Sequence, residues 1–98
     1  MIAARAARPV VERALDKRVK VREAAASVAA RVPGGSELLH GLLDDKHPRV
    51  REAAFFSAAR SRLPGLRKIA TRLSKSDPDK RVRAVAAEYL RAPPQTFR

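Results

Sequence analysis

An aspartate followed six residues later by an arginine occurs three times in this chain of 98 residues. The three pairs are Asp16 and Arg22, Asp45 and Arg51, and Asp77 and Arg83. A carboxylate at the start of a helix accepts backbone N–H groups and complements the helix dipole. A guanidinium pairs with a carboxylate or with a phosphate. The repeated pairs therefore have two chemistries open to them, internal ion pairing between helices and binding of an external anion.

Two further series of basic residues recur at fixed places around these pairs. One series lies two residues before each arginine, at Lys20, Arg49 and Arg81. The other lies near the ends of the same segments, at Arg31, Arg60 and Arg91. If the segments stack in register, each series forms a basic stripe across the repeats. Such stripes suit the phosphate backbone of a nucleic acid or the carboxylates of an acidic protein.

Side chains suited to catalysis or metal binding are scarce in this sequence. It contains no cysteine, which excludes disulfides and thiolate zinc sites. His40 and His47 alone make an incomplete metal site, and we expect them on a polar helix face and in a turn. There is no nucleotide-binding glycine loop and no pair of catalytic carboxylates on one face. We therefore predict a protein that is not an enzyme and has no metal, no cofactor and no small-molecule substrate.

The overall charge favours an anionic partner. The 22 Lys and Arg residues against 10 Asp and Glu give a net charge of +12. Residues 1–33 carry eight basic and three acidic side chains, residues 34–63 five and four, and residues 64–98 nine and three, so the net charges are +5, +1 and +6. No apolar run is long enough for a membrane span, and the N-terminus is a poor secretory signal. We expect a cytoplasmic protein without membrane contact.

The spacing of apolar residues predicts helices throughout the chain. Residues 18–32 place one apolar stripe at helical spacing: Val21, Ala24, Ala25, Val28, Ala29 and Val32. The segments PGG at 33–35, LPG at 63–65 and DPDK at 77–80 separate the helices, and Ser36 is a candidate N-cap. The first helix, around residues 2–14, contains Pro9, so it either kinks there or begins there.

The predicted helices group into hairpins of similar length. Val21 and Val50 are 29 residues apart, and Val50 and Val82 are 32 apart. A repeat of about 30 residues that holds a helix pair indicates an α-solenoid. Each copy reads D-x-x-x-x-V-R-x-x-A, and by this signature the chain resembles the short form of the HEAT-like repeat family. The third copy departs from the others, because it lacks the glutamate found at 23 and 52.

The resemblance covers nearly all of residues 9–92 and implies a fold. It implies an all-α protein, a short right-handed α-solenoid of three HEAT-like hairpins with about six helices. We expect one domain at residues 1–92, with repeats at about 2–33, 34–63 and 64–92, and an extended tail at residues 93–98. In such families the repeated acidic and basic residues form a buried ladder between repeats. The resemblance assigns this Asp–Arg ladder to Asp16, Arg22, Asp45, Arg51, Asp77 and Arg83.

Two functions are consistent with a module of this kind. The first is sequence-independent docking of the basic stripes on nucleic acid or a nucleoprotein assembly. The alternative is a protein–protein adaptor that binds an acidic protein. Phe55 is expected in contact between repeats, while Phe56 either anchors the partner or covers a gap beside Ser57.

In either case, solenoid ends expose apolar faces unless they are capped. Either Pro93, Pro94 and Phe97 fold back as a cap, or the ends meet other subunits and the protein works within a larger assembly.

Overall fold

The computed structural model describes residues 8–92, which form six α-helices and no β-strand. The helices are α1 (Arg8–Ala14), α2 (Val19–Ala29), α3 (Gly35–Leu42), α4 (Pro48–Arg60), α5 (Leu66–Ser76) and α6 (Lys80–Arg91). They pair as α1 with α2, α3 with α4 and α5 with α6, and the second helices α2, α4 and α6 pack in series. The predicted all-α solenoid of three hairpins is confirmed. The predicted tail at 93–98, and the part of the first repeat before residue 8, lie outside the described residues.

Polar side chains fix where α4 and α6 begin. In α4, Nδ1 of His47 accepts a hydrogen bond from the backbone N–H of Arg49 at 3.1 Å, and Pro48 occupies the first helical position. In α6, the carboxylate of Asp79 accepts the N–H of Val82 at 3.0 Å. Each cap satisfies one of the N–H groups that a helix leaves unpaired at its first turn.

Glycines set the turns that lead into the first helices of the second and third hairpins. Gly34 and Gly65 have φ values of +78° and +81°, in the left-handed region that a side chain disfavours. A side chain at Gly35 would collide with the carbonyl oxygen of Ala29. The predicted cap at Ser36 is wrong, because Gly34 precedes α3 and the helix already starts at Gly35.

The core combines leucines of the first helices and of the adjoining turns with alanines and valines of the second helices. Buried leucines of the second and third hairpins are Leu39, Leu42, Leu43, Leu63, Leu66 and Leu73. The second helices contribute Ala25, Ala26, Ala29, Val50, Ala54, Ala58, Val82 and Ala86. Small side chains allow successive second helices to approach closely, while the leucines fill the space behind them.

The buried face of α2 differs from the predicted stripe. Ala26 is fully buried, whereas Ala24 is exposed and Val28 is 39% exposed. Ala26 lies one turn after Arg22 and therefore on the same side of the helix. A single amphipathic stripe describes a helix that packs within one hairpin, but α2 also packs against the next hairpin and needs a second buried side.

Two buried residues of α4, Phe55 and Ser57, differ in how well they are accommodated. Phe55 is buried, and its ring meets the ring of Tyr89 edge to face, with centroids 5.4 Å apart and planes at 89°. Ser57 is fully buried, and its hydroxyl has no hydrogen-bond partner within residues 8–92. A buried polar group without a partner loses its hydration and gains nothing in return.

We expect Ser57→Ala to raise the free energy of unfolding by about 1 kcal/mol, because it removes an unsatisfied hydroxyl and improves helix propensity. Urea denaturation followed by circular dichroism measures the change. Ser27→Ala is the matched control, since Ser27 also lies within a helix but is exposed and bonds the carbonyl of Glu23. A gain no larger than the control gain would show that the Ser57 hydroxyl is satisfied.

Candidate binding groove and Asp–Arg ladder

The three ladder aspartates hold the turns before the second helices. Asp16, Asp45 and Asp77 each accept a hydrogen bond from the backbone N–H two residues later, at 2.8, 2.9 and 2.9 Å. The residue that donates is the N-cap of the following helix in every repeat. The aspartates therefore do not cap the helices directly, but they shape the turn that delivers the capping residue.

The ladder arginines join one repeat to the next. Nε and Nη2 of Arg51 each donate to the carboxylate of Asp77 at 2.8 Å, while Nη1 donates to the carbonyl of Asp45 at 2.9 Å. Arg22 repeats the arrangement, with 2.8 and 3.0 Å to the carboxylate of Asp45 and 3.0 Å to the carbonyl of Asp16. Each guanidinium thus pairs with the carboxylate of the following repeat and with a carbonyl of its own.

The two ends of the ladder differ from its middle. Nη1 of Arg83 donates to the carbonyls of Asp77 and Pro78 at 2.8 and 3.2 Å, but its guanidinium meets no carboxylate within residues 8–92. At the other end, Asp16 receives Nε and Nη2 of Arg18, both at 3.0 Å. Arg18 comes from the same turn as Asp16, and its side chain is 70% exposed. It binds Asp16 in the way that the arginine of the preceding repeat binds Asp45 and Asp77.

These contacts lower the pKa values of two ladder carboxylates. The side chain and backbone N–H of Arg18 hold the pKa of Asp16 at about 2, below its ordinary 3.8. Burial by itself would raise the pKa of Asp45, but hydrogen bonds from Arg22 and the His47 N–H outweigh it and leave this pKa lowered. Both carboxylates are therefore charged throughout the neutral range.

We expect Arg51→Ala to lower the free energy of unfolding by about 3 kcal/mol, because the Asp77 carboxylate would remain buried and unpaired. The side chains of Arg51 and Asp77 are only 9% and 2% exposed. Arg83→Ala is the matched control at the same position of the third repeat; within residues 8–92 its side chain bonds only backbone carbonyls, so the expected loss is about 1 kcal/mol. Urea denaturation of both variants measures the difference, and equal losses would contradict a stabilising role for the buried pair.

The lowered pKa of Asp16 predicts sensitivity to acid. A carboxylate whose folded-state pKa lies below its unfolded value stabilises the fold above about pH 4 and loses that contribution as the pH falls through the folded pKa of about 2. We expect the Asp16 carboxyl signal to titrate near pH 2 by NMR, and to titrate at higher pH in Arg18→Ala. A midpoint that does not move on removal of Arg18 would contradict the pairing.

A groove of about 590 Å³ lies on the face formed by the second helices. Residues of α2, α4 and α6 line it: Glu23, Ser27, Arg49, Glu52, Ala53, Phe56, Arg60 and Arg81. Of the residues predicted to bind a partner, the groove brings together Phe56, Arg49, Arg60 and Arg81. The other members of the two basic series, Lys20, Arg31 and Arg91, are exposed but do not line it.

An acidic residue that sequence reasoning did not use alters the first basic series. Nε of Arg81 donates to both carboxylate oxygens of Glu52, at 2.9 and 3.1 Å, across the junction of α4 and α6. The hydrogen bond raises the pKa of Arg81. Glu23 occupies the position of Glu52 one repeat earlier and also lines the groove. The sequence does show a glutamate directly after the ladder arginine in the first two repeats. Which basic residue of the next repeat it pairs with, however, depends on how the hairpins stack.

The remaining arginines of the groove differ from Arg81. Arg49 and Arg60 are exposed, and neither forms an ion pair with any residue between 8 and 92. Phe56 is half-buried beside them and stands outside the hydrophobic core, in contrast to its buried neighbour Phe55. The groove therefore combines an aromatic surface with two exposed guanidinium groups that form no ion pair in the described part of the chain.

Other polar residues have structural partners or lie apart. His47 caps α4, and residues 8–92 contain no cluster of three or more His, Cys, Asp or Glu suited to a metal ion. The exposed cluster of α5 consists of Arg67, Lys68, Arg72 and Lys75, and Arg72 bonds Asp44 at 3.3 Å. Among the described helices, none has the length and apolar character needed to cross a membrane.

Comparison with known families is consistent with this architecture. Residues 7–91 match a family model described as HEAT repeats, a range that contains all six described helices. Searches among curated proteins and among solved structures gave no match.

Proposed function

Because the chain belongs to the HEAT-repeat family, we propose that it is a non-catalytic module that binds a segment of a partner protein in its groove. HEAT repeats typically mediate contacts between proteins within assemblies and are generally non-catalytic. The observation that supports the proposal is the groove itself, in which Phe56 lies beside Arg49 and Arg60, two exposed arginines that form no ion pair within residues 8–92. Aromatic and arginine side chains are the residue types that most often dominate binding energy at protein interfaces.

The chemistry of the groove defines the partner segment. Phe56 offers a half-buried aromatic surface for one apolar side chain, while Arg49 and Arg60 suit carboxylates, which a guanidinium binds through two parallel hydrogen bonds. Glu23 and Glu52 line the same groove and repel a continuous run of negative charge. The expected ligand is therefore a peptide with an acidic side chain next to an apolar one, and not a uniform polyanion.

We expect short peptides selected from a random display library, in the presence of nuclease, to carry Asp or Glu beside a large apolar residue. The double variant Arg49→Glu with Arg60→Glu should weaken binding of a selected peptide by about tenfold or more, because it replaces both guanidinium groups that would pair with peptide carboxylates by negative charges. Fluorescence anisotropy measures the affinity. Phe56→Ser should weaken binding by a similar factor at a stability cost below about 1 kcal/mol.

Controls separate the groove from general charge and general stability. Arg67→Glu with Lys68→Glu makes the same charge change on α5, away from the groove, and should leave peptide affinity nearly unchanged. Phe55→Ser should instead unfold or strongly destabilise the protein, since Phe55 is buried against Tyr89. Equal losses of affinity in the α5 and groove variants would show that peptide binding is nonspecific charge attraction.

Sequence-independent binding of nucleic acid is a second candidate, favoured by the net charge of +12. It predicts an affinity for duplex DNA that falls with salt at a log–log slope of about −3 to −5, as four or five phosphates displace counterions. Affinities for DNA and RNA weaker than about 10⁻⁴ M at physiological salt would exclude it. The engagement of Arg81 with Glu52 interrupts the predicted stripe, so the protein-binding function takes precedence.

A further inference from the structure

Within the described residues 8–92, the outer face of the third hairpin has the donor half of a ladder contact, Arg83, without a carboxylate acceptor. We propose that Arg83 of one molecule pairs with Asp16 of a second copy, so that copies stack head to tail in the register of the internal repeats. The interaction is independent of the groove, which lies on the face of the second helices. It involves the outer faces of the first and third hairpins, and each face supplies one half of the contact.

The geometry of Arg83 supports this pairing. Within the chain, Arg22 and Arg51 use Nη1 for carbonyls of their own repeat and Nε with Nη2 for the carboxylate of the next. Arg83 makes the same carbonyl contacts through Nη1. Its Nε and Nη2 meet no acceptor within residues 8–92, although in Arg22 and Arg51 the same two groups bind the carboxylate of the following repeat.

The apolar residues around Arg83 show the same change at the third repeat. Arg22 and Arg51 are 6% and 7% exposed, whereas Arg83 is only half-buried. Phe55, one turn after Arg51, is buried against the third hairpin, whereas Ala87, one turn after Arg83, is half-buried. Three residues further, Ala58 is fully buried, but Leu90 is half-buried. The outer face of the third hairpin therefore presents residues at the same positions that form the two internal interfaces between hairpins.

The acceptor lies at the opposite end of the chain. Asp16 is bound by Nε and Nη2 of Arg18, which are the same two groups that Arg22 and Arg51 present to their aspartates. Because Arg18 is 70% exposed, it returns to water at little cost when another guanidinium replaces it. A second copy thus offers the carboxylate, in the same turn geometry, that Arg83 lacks.

The two contacting surfaces are different, so the stacking does not close into a twofold dimer. Such head-to-tail contacts produce chains of copies whose length depends on concentration. Each copy carries a net charge of +12, and the repulsion between copies keeps the association weak. Sedimentation velocity over a concentration range extending to about 1 mM, where weak complexes with millimolar dissociation constants become populated, tests the proposal.

We expect the full chain to form dimers and longer species as concentration rises. Arg83→Glu should weaken this association by at least about 30-fold, because a buried charge pair would become a like-charge contact. Lys80→Glu makes the same charge change on the same helix at an exposed position and is the control. If Arg83→Glu does not fold, Arg83→Lys keeps the charge but loses the two-pronged geometry, and should still weaken association.

A variant with the opposite effect tests the acceptor. Arg18→Ala frees Asp16 and should strengthen association severalfold more than Lys17→Ala, which removes an equal charge at an adjacent exposed residue. A chain that stays monomeric up to about 1 mM overturns the proposal. So does an Arg83→Glu effect equal to that of Lys80→Glu, or an Arg18→Ala effect equal to that of Lys17→Ala. Association only after removal of residues 93–98 would also overturn it and assign the face to that segment.

Discussion

The guanidinium of Arg51, held between the carbonyl of Asp45 and the carboxylate of Asp77, fixes how one hairpin lies against the next. Its three bonds require the start of α4 and the start of α6 to keep a set distance and angle. A shift by one residue would leave a buried charge without a partner, which costs several kcal/mol. The helices therefore stack in one register, and that register places Glu52 opposite Arg81 and Phe55 against Tyr89.

Packing and polar contacts support one another in this stack. The alanines of the second helices let the backbones come close, and the close approach brings the ladder side chains within 3 Å of their acceptors. Ser57 is the exception, because its hydroxyl is buried at a position where the rest of the face is apolar and meets no acceptor in the described part of the chain. Local defects of this kind are tolerated because each repeat contacts only its neighbours, so the cost does not spread.

The fold was largely predictable from the sequence, and the groove only in part. The D-x-x-x-x-V-R-x-x-A copies and their spacing predicted the hairpins, because hydrophobic period and breakers act locally along the chain. The burial of Ala26 in place of Val28 was missed, because it depends on the neighbouring hairpin and not on α2 alone. The same reason applies to Arg81: its own surroundings in the sequence mark it as one of a basic series, but its partner Glu52 is 29 residues away.

The edge-to-face contact of Phe55 with Tyr89 also places the tyrosine where its optical signals depend on the packing between the second and third hairpins. The chain contains one tyrosine and no tryptophan, so its near-ultraviolet absorption and emission come mainly from a ring at the junction of the second and third hairpins. Far-ultraviolet dichroism, by contrast, sums over every helix. The two optical signals therefore observe different lengths of the solenoid, and no label is needed to distinguish melting of this junction from melting of the first hairpin.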